Sequence, residues 1–400
     1  MTTSDASFDV IVVGGGPAGA TAATDLALQG RRVLLLERAF RIKPCGGAIP
    51  PRLIEDFDIP QHLLVARISS ARMVSPSSTK VDMSTGTYVG MVDREAFDPW
   101  LRQRAVDAGA ELRIGVFRTL RYRGDGAVAL TYTDKQGGGA PVEVIARAVI
   151  GADGAKSGVA KQCIPGAEEV PCVIAYHEIV ESPASGAVPP GEFDGTRCDV
   201  WFQGKFSPDF YGWVFPHGSK TSVGMGTADP DFSLKEATRG LRAATGLQDA
   251  KTIRREGAPI PLKPLKRWDD GRNVVLAGDA AGVVAPASGE GIYYAMLGGR
   301  LAARAAEDFL VSGDPRALKS ARRSFMREHG RVFWILGIMQ KFWYSSDKRR
   351  ERFVSMCKDP DVQFLTWEAY TKKRLVRARP AAHARIFFKD LAHLFGLVRP

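Results

Sequence analysis

No stretch of this 400-residue chain approaches the ~20 consecutive apolar residues that a membrane-spanning helix needs. Residues 1–7 are polar and lack the basic start and long apolar region of a signal or transit peptide. A soluble or peripheral protein is expected. Cysteine is scarce: Cys45, Cys163, Cys172, Cys198 and Cys357 form neither a CxxC pair nor a metal-ligand spacing. Such an odd, sparse set excludes a disulfide framework and fits a reducing compartment. Internal repeats and low-complexity segments are also missing. Acid is in deficit, with 44 Asp and Glu against 55 Lys and Arg, a net charge of +11. That balance favours anionic partners: nucleic acid, diphosphates or an anionic membrane face. The length suits about two domains.

What is present begins at residues 8–37, FDVIVVGGGPAGATAATDLALQGRRVLLLE. A β-branched run over 10–13 meets Gly14-x-Gly16-x-x-Gly19, a helix is expected over 17–29, and a second apolar run ends on Glu37. Gly14 permits the tight strand-to-helix turn, Gly16 clears the approach of a pyrophosphate, and Gly19 lets helix and strand pack closely. The helix start, Pro17 and Ala18, turns unpaired N–H groups and partial positive charge toward the phosphates. Glu37, followed by Arg38, can take the hydroxyls of an AMP ribose. A lone GxGxxG is any glycine-rich turn, but here strand, turn, helix, strand and acid follow in order, which predicts dinucleotide binding.

Further along, Lys43-Pro44-Cys45-Gly46-Gly47-Ala48 forbids regular structure. It reads either as a connector or as a loop in which Lys43 lowers the pKa of a reactive Cys45 thiol. An amphipathic helix is expected over 99–108, with Arg94 at its entry either reaching a phosphate or ribityl chain or standing as a surface charge. Strand-like alternation over 120–150 runs into a second glycine turn carrying Asp153 and Gly154. Antiparallel strands are expected over 173–180, 198–203, 212–215 and 222–226. Among them, Tyr211-Gly212-Trp213-Val214-Phe215-Pro216-His217 is either core or the lining of an apolar cavity with polar tips. A third strand-then-glycine pattern holds Gly278 and Asp279 and continues through Pro286, Gly289 and Gly291 into a helix over 292–310, opening at Ile292. Its acid can hold a ribose or ribityl hydroxyl, and its helix start aims positive potential at whatever precedes it.

The last seventy residues change character. An apolar, aromatic stretch over 333–344 precedes the basic runs Lys348-Arg349-Arg350 and Lys372-Lys373-Arg374. Residues 341–400 hold fourteen Lys and Arg against six Asp and Glu, which is +8 of the total +11. No nucleic-acid motif accompanies this charge. It reads as a membrane-surface contact or as a solvated helical face.

Together GGGPAG with its acid, the mid-chain GADG and the late GDAAG…P…GEG resemble the flavoproteins that include p-hydroxybenzoate hydroxylase. More narrowly, the Lys43–Pro50 loop, Tyr211-x-Trp213-x-Phe215-Pro216 followed by Gly224-x-Gly226, and Pro286-Ala287-Ser288-Gly289-Glu290-Gly291 resemble geranylgeranyl reductases. The likeness to the (bacterio)chlorophyll-pathway branch runs nearly end to end, including Arg349–Phe353 and residues 385–390.

The resemblance implies an α/β fold: a Rossmann-like FAD-binding domain (1–165 with 265–325), an inserted antiparallel β-sheet substrate domain (166–264) and a helical, basic C-terminal region (326–400). It implies FAD as cofactor and NADPH as a transiently docking reductant, since a single dinucleotide fold is present and FAD fills it. It places Cys45, Gly46, Gly47 and Ala48 beside the flavin and the Tyr-x-Trp-x-Phe-Pro signature in the substrate cavity. The implied reaction saturates three isolated double bonds of a geranylgeranyl chain, free as the diphosphate or esterified to (bacterio)chlorophyll, to give phytyl. Tyr211, His217 and Cys45, or an ordered water, are the candidate proton donors. The expected setting is a bacterial cytoplasm, peripheral on a photosynthetic membrane. The rivals are a flavin monooxygenase of an apolar substrate and a non-catalytic flavoprotein carrier of pigment intermediates.

Overall fold

The computed structural model describes residues 3–39, 42–184, 189 and 192–373. The chain divides into two units of three segments each: 1–43, 94–172 and 259–334, and then 44–93, 173–258 and 335–400.

The first unit is organised by a parallel ladder. Its apolar runs are continuous rather than alternating because both sheet faces are covered: Val10, Ile11, Val12, Leu34 and Leu35 have no exposed surface. Thr3–Val13 lies between Val33–Glu37 and Pro141–Gly151, which extend to Glu111–Tyr122 on one side and Val274–Leu276 on the other. Val128–Asp134 joins the far halves of Glu111–Tyr122 and Pro141–Gly151 in an antiparallel meander. Helices Pro17–Leu28 and Ile292–Ser312 pack so closely that a Cβ on Gly299 would overlap the Ala18 carbonyl. The helix expected over 99–108 is Arg94–Asp107, with Pro99 inside it. Proline costs that helix one donor a turn and a half from its start, and the Arg94–Asp98 ion pair at i,i+4 braces the same turn.

The second unit carries an eight-stranded sheet in the order Thr252–Pro261, Cys172–Glu181, Lys220–Thr227, Gly212–His217, Arg197–Trp201, Leu64–Val74, Lys80–Val92, Ala48–Ile49. The pairs along Cys172–Glu181, Lys220–Thr227, Gly212–His217 and Arg197–Trp201 are antiparallel, whereas Arg197–Trp201 meets Leu64–Val74 in parallel. Period-2 alternation separates two faces. Val214, Val223 and Met225 point to a core closed by Leu241 of helix Leu234–Ala244. The alternate residues Trp213 and Phe215 lie on the other face.

Two expected boundaries are corrected here. Residues 44–93, assigned above to the cofactor domain, supply three strands of this sheet. The C-terminal helices are part of the sheet unit rather than a separate region. Buried Arg350 donates to the carbonyls of Pro208 and Tyr344 and pairs with Asp347 at 2.6 Å. Glu351 accepts from Ser75 and Ser77 at 2.8–2.9 Å. Trp367 and Tyr370 pack against Ile68, Val89 and Met91. Arg350 is therefore a structural cation rather than part of a solvated basic face. Arg374 and residues 385–390 lie outside the described residues, as does Arg41 in the loop after the first acid. Among the described residues no helix is long and apolar enough to cross a membrane.

Candidate functional site

In the first unit, three glycine turns converge on the start of helix Pro17–Leu28. Gly14 has φ +107, and a Cβ there would lie 2.9 Å from the Cα of Asp153, so the first and second turns are in contact. Gly278 has φ +62, and its added Cβ would come within 2.8 Å of the Ala18 Cβ, so the third turn abuts the same helix start. Gly19 backs onto the Gly14 carbonyl. Gly16 and Gly154, by contrast, face open space. Gly16 is the N-cap of Pro17–Leu28 and Gly291 that of Ile292–Ser312, and no side chain caps either helix. Two N-termini without a side-chain cap, the first of them beside open glycine positions, suit an anionic dinucleotide.

The acids have local duties as well. Glu37 accepts from the N–H of Gly15 at 2.7 Å and of Ala39 at 3.1 Å, which bends its carboxylate over the first turn. Arg38 beside it is exposed. Asp153 accepts from Ser157 and from the N–H of Gly158 at 2.6 Å, anchoring the helix Gly158–Cys163. Gly154, rather than the Asp153 carboxylate, is the open member of that turn. Asp279 pairs with Lys43 at 2.5 Å, so the lysine expected to activate Cys45 is engaged by an acid. Arg94 is no surface charge: it is buried and bidentate to Asp98 at 2.6 and 2.7 Å. Pro286 and Ile292 are buried, and Gly289 has φ +63 in the turn closed by its N–H to the Ala285 carbonyl at 2.9 Å.

In the second unit the Cys45 loop is held at both of its glycine carbonyls. The Val92 N–H donates to Gly47 O at 2.9 Å, and His217 Nε2 lies 3.1 Å from Gly46 O. Ala48 then enters the sheet opposite Met91. Gly47 has φ +71, and a Cβ on it would overlap the His217 ring; a Cβ on Gly46 would touch Phe215 at 3.2 Å. Cys45 Sγ accepts from the Gly47 N–H at 3.4 Å and is partly exposed. Burial pushes the thiols of Cys163 and Cys357 up to about 11 and about 12 and raises those of Cys172 and Cys198, which removes all four from thiolate chemistry.

Burial pushes His217 down to about 4, against the pull of its bond to Gly46. At neutral pH the ring is uncharged and its N–H belongs to the loop. The expected proton donor is therefore a clamp on the Cys45 loop.

Tyr211 stacks on Phe210 at 4.4 Å between centroids and meets Trp213 edge-on at 6.0 Å; Trp213 continues to Phe215 at 6.3 Å. The two glycines of Gly224-x-Gly226 make this row possible. A Cβ on Gly224 would lie 2.6 Å from the indole, and one on Gly226 3.0 Å from Phe210. Pro216 is buried beside them.

A family model described as an FAD binding domain matches residues 7–173. A geranylgeranyl diphosphate reductase of Rhodobacter capsulatus is 57% identical over 98% of this chain and 99% of its own. The chain belongs to the geranylgeranyl reductase family. The chloroplastic geranylgeranyl diphosphate reductase of Oryza sativa subsp. japonica is 39% identical over 96% of this chain and 86% of its own. A crystal structure of a geranylgeranyl bacteriochlorophyll reductase-like protein from Thermoplasma acidophilum shares the fold, with a TM-score of 0.80 at 22% identity over 94% of this chain and 99% of that one. This reductase is thus an FAD-dependent flavoprotein, as its glycine turns predict.

Sequence reading missed two groups. Arg102, buried on helix Arg94–Asp107, donates to the Gly15 carbonyl at 3.3 Å and would touch any side chain placed on Gly15. The second group is the polar set around His177, taken up below. The only signal for either was a charged or polar residue on an otherwise apolar face, a pattern shared with many structural residues.

Proposed function

We propose that this flavoprotein saturates the isolated double bonds of a geranylgeranyl chain, carried on (bacterio)chlorophyll or as the diphosphate, with NADPH as reductant. The observation that carries the reading is 57% identity, over 98% of the chain, to a relative named for geranylgeranyl diphosphate reduction. The first unit's open glycine positions and uncapped helix starts suit FAD. Gly14, Gly16, Pro17, Ala18 and Gly19 take the pyrophosphate, Glu37 the adenosine ribose, and Asp279 the ribityl chain. The chemistry FAD supplies when bound is two-electron transfer, in which hydride received from NADPH reaches one alkene carbon.

The chain's own residues hold the substrate and provide the proton for the other carbon. An isolated alkene has no carbonyl to store the charge as an enolate, so proton delivery must be close and water excluded. The row of Tyr211, Trp213, Phe215 and Pro216 offers a largely apolar face on which a chain can slide between rounds. Cys45 and Tyr211 are the candidate donors, with His217 holding the Cys45 loop in place. Each round consumes one NADPH and one proton, and three rounds give phytyl.

Peripheral contact with an anionic membrane is part of the proposal. Trp334, Ile335 and Ile338 are exposed on helix Ser320–Trp343, at 69%, 38% and 48%, and basic residues follow in the sequence. Such a face suits a membrane-embedded substrate.

The deciding experiment is an anaerobic incubation of FAD-loaded protein with NADPH and, in parallel, geranylgeranyl-bacteriochlorophyll or geranylgeranyl diphosphate. Mass spectrometry should show products heavier by two, four and six hydrogens. A product heavier by one oxygen, formed only with dioxygen, would mean a monooxygenase. Binding without any mass change would mean a carrier.

A further inference from the structure

On the aromatic face of the second unit a buried polar chain runs across four strands. The indole Nε1 of Trp213 donates to Ser222 Oγ at 3.0 Å, and Ser222 Oγ lies 2.9 Å from His177 Nδ1. His177 Nε2 lies 3.0 Å from Glu256 Oε2. Glu256 is paired in turn with Arg254 at 3.0 Å, and Arg254 donates to Asp93 at 3.2 Å, as does Lys220. Ser222 has no exposed surface and His177 is 2% exposed.

The order of atoms resembles a nucleophilic triad but is reversed, with serine on Nδ1 and the acid on Nε2, whereas in the triad the serine faces Nε2 and the acid Nδ1. Ser222 is also fully enclosed and occupied by an indole N–H, which leaves no room for an acyl group. The direction of the chain is set by its ends. An indole can only donate and a carboxylate can only accept. Burial works to raise the Glu256 carboxyl, but His177 and Arg254 outweigh it and hold the group below its usual range. Ser222 therefore accepts from Trp213 and donates to His177 Nδ1, and a neutral His177 carries its proton on Nε2, toward Glu256.

We propose that Ser222, His177 and Glu256 are positioning residues that lock the Trp213 indole across the sheet, drawing its N–H into their polar chain so that it is not offered to the isoprenoid chain. Gly224 completes the lock, since any side chain there would collide with the indole and with His177. A free indole N–H on that face would demand a polar partner or hold water against the alkene. The part of the inference that concerns the isoprenoid rests on the reductase reading above, but the lock itself does not.

Two measurements test it. Long-range ¹H–¹⁵N correlation on the FAD-loaded protein, with His177→Asn for assignment, should show His177 protonated on Nε2 and bare on Nδ1. A proton on Nδ1 overturns the proposal. Ser222→Ala should slow alkene saturation about tenfold while NADPH-driven flavin reduction is unchanged, and Ser222→Thr should restore it. In a Trp213→Phe background, which has no N–H to hold, Ser222→Ala should add less than about a twofold loss. Equal losses in both backgrounds mean the serine acts independently of the indole, and the proposal falls. If the unsubstituted protein saturates no alkene, the proposed function fails, and the tautomer measurement still decides the lock.

Discussion

His217 holds the loop that carries Cys45 through the Gly46 carbonyl, and its surroundings keep it neutral. Its folded-state pKa of about 4 lies below the ordinary 6.5, so between those values the unfolded chain binds more protons than the folded one. Stability is then complete above pH 6.5 and is lost as pH falls toward 4, by on the order of 3 kcal/mol at most. His217→Gln can still donate to the Gly46 carbonyl but does not titrate. It should keep activity at pH 7 and flatten the stability slope between pH 6.5 and 4, as read by urea unfolding at a series of pH values; an unchanged slope would mean another group is responsible. Cys45→Ala separates the two roles left open for that loop. If the thiol delivers the proton, alkene saturation should fall at least tenfold while flavin reduction by NADPH persists. Loss of both would make Cys45 structural. Residues whose duty follows from backbone geometry, such as Gly14 at the tight turn and Gly19 at the close packing, were legible in the sequence. His217 was legible as a candidate, but its clamp was not, because the partner lies 171 positions away.

At the scale of elements, the sequence announced strands wherever apolar runs were continuous or cleanly alternating, as in Val33–Glu37 or Cys172–Glu181. It did not announce Leu64–Val74, whose arginines and serines blur the alternation, or Lys80–Val92. Those strands depend on long-range pairing, the parallel one with Arg197–Trp201 above all. Long-range pairing with Lys80–Val92 likewise carries the chain from the loop at Gly46 and Gly47 into the sheet at Ala48. Gly47→Ala would combine a positive φ with overlap on His217 and the Val92 carbonyl. A loss of about 2–4 kcal/mol is expected in thermal or urea unfolding, together with weakened alkene saturation as the Cys45 loop shifts. Arg350→Ala should be costlier than its place in a basic run suggests. Removing a buried guanidinium strands two backbone carbonyls and Asp347, for about 3 kcal/mol by chemical denaturation. A loss under about 0.5 kcal/mol would restore the solvated-face reading.

Across the whole molecule the chain passes between its two units five times, so neither unit is a continuous piece of sequence. This was the least legible feature, because composition shifts mark where a chain changes character and not where it returns. It has a thermodynamic consequence. Between Leu64–Val74 and its parallel partner Arg197–Trp201 the chain runs through residues 94–172 of the first unit. Were that unit to unfold alone, the sheet would have to close a free loop of about eighty residues, at a cost of about 4 kcal/mol. That is a large fraction of the stability of an ordinary domain. Unfolding of the first unit should therefore bring down the second. FAD, for which the first unit is the proposed site, should raise the melting of both, by about 2.7 kcal/mol at a hundredfold excess over its dissociation constant. The check is a thermal scan followed at once by flavin fluorescence and by far-ultraviolet circular dichroism, with and without added FAD. Coincident transitions that move upward together are expected. Two separated transitions, of which FAD shifts only the first, would show that the five crossings do not couple the units.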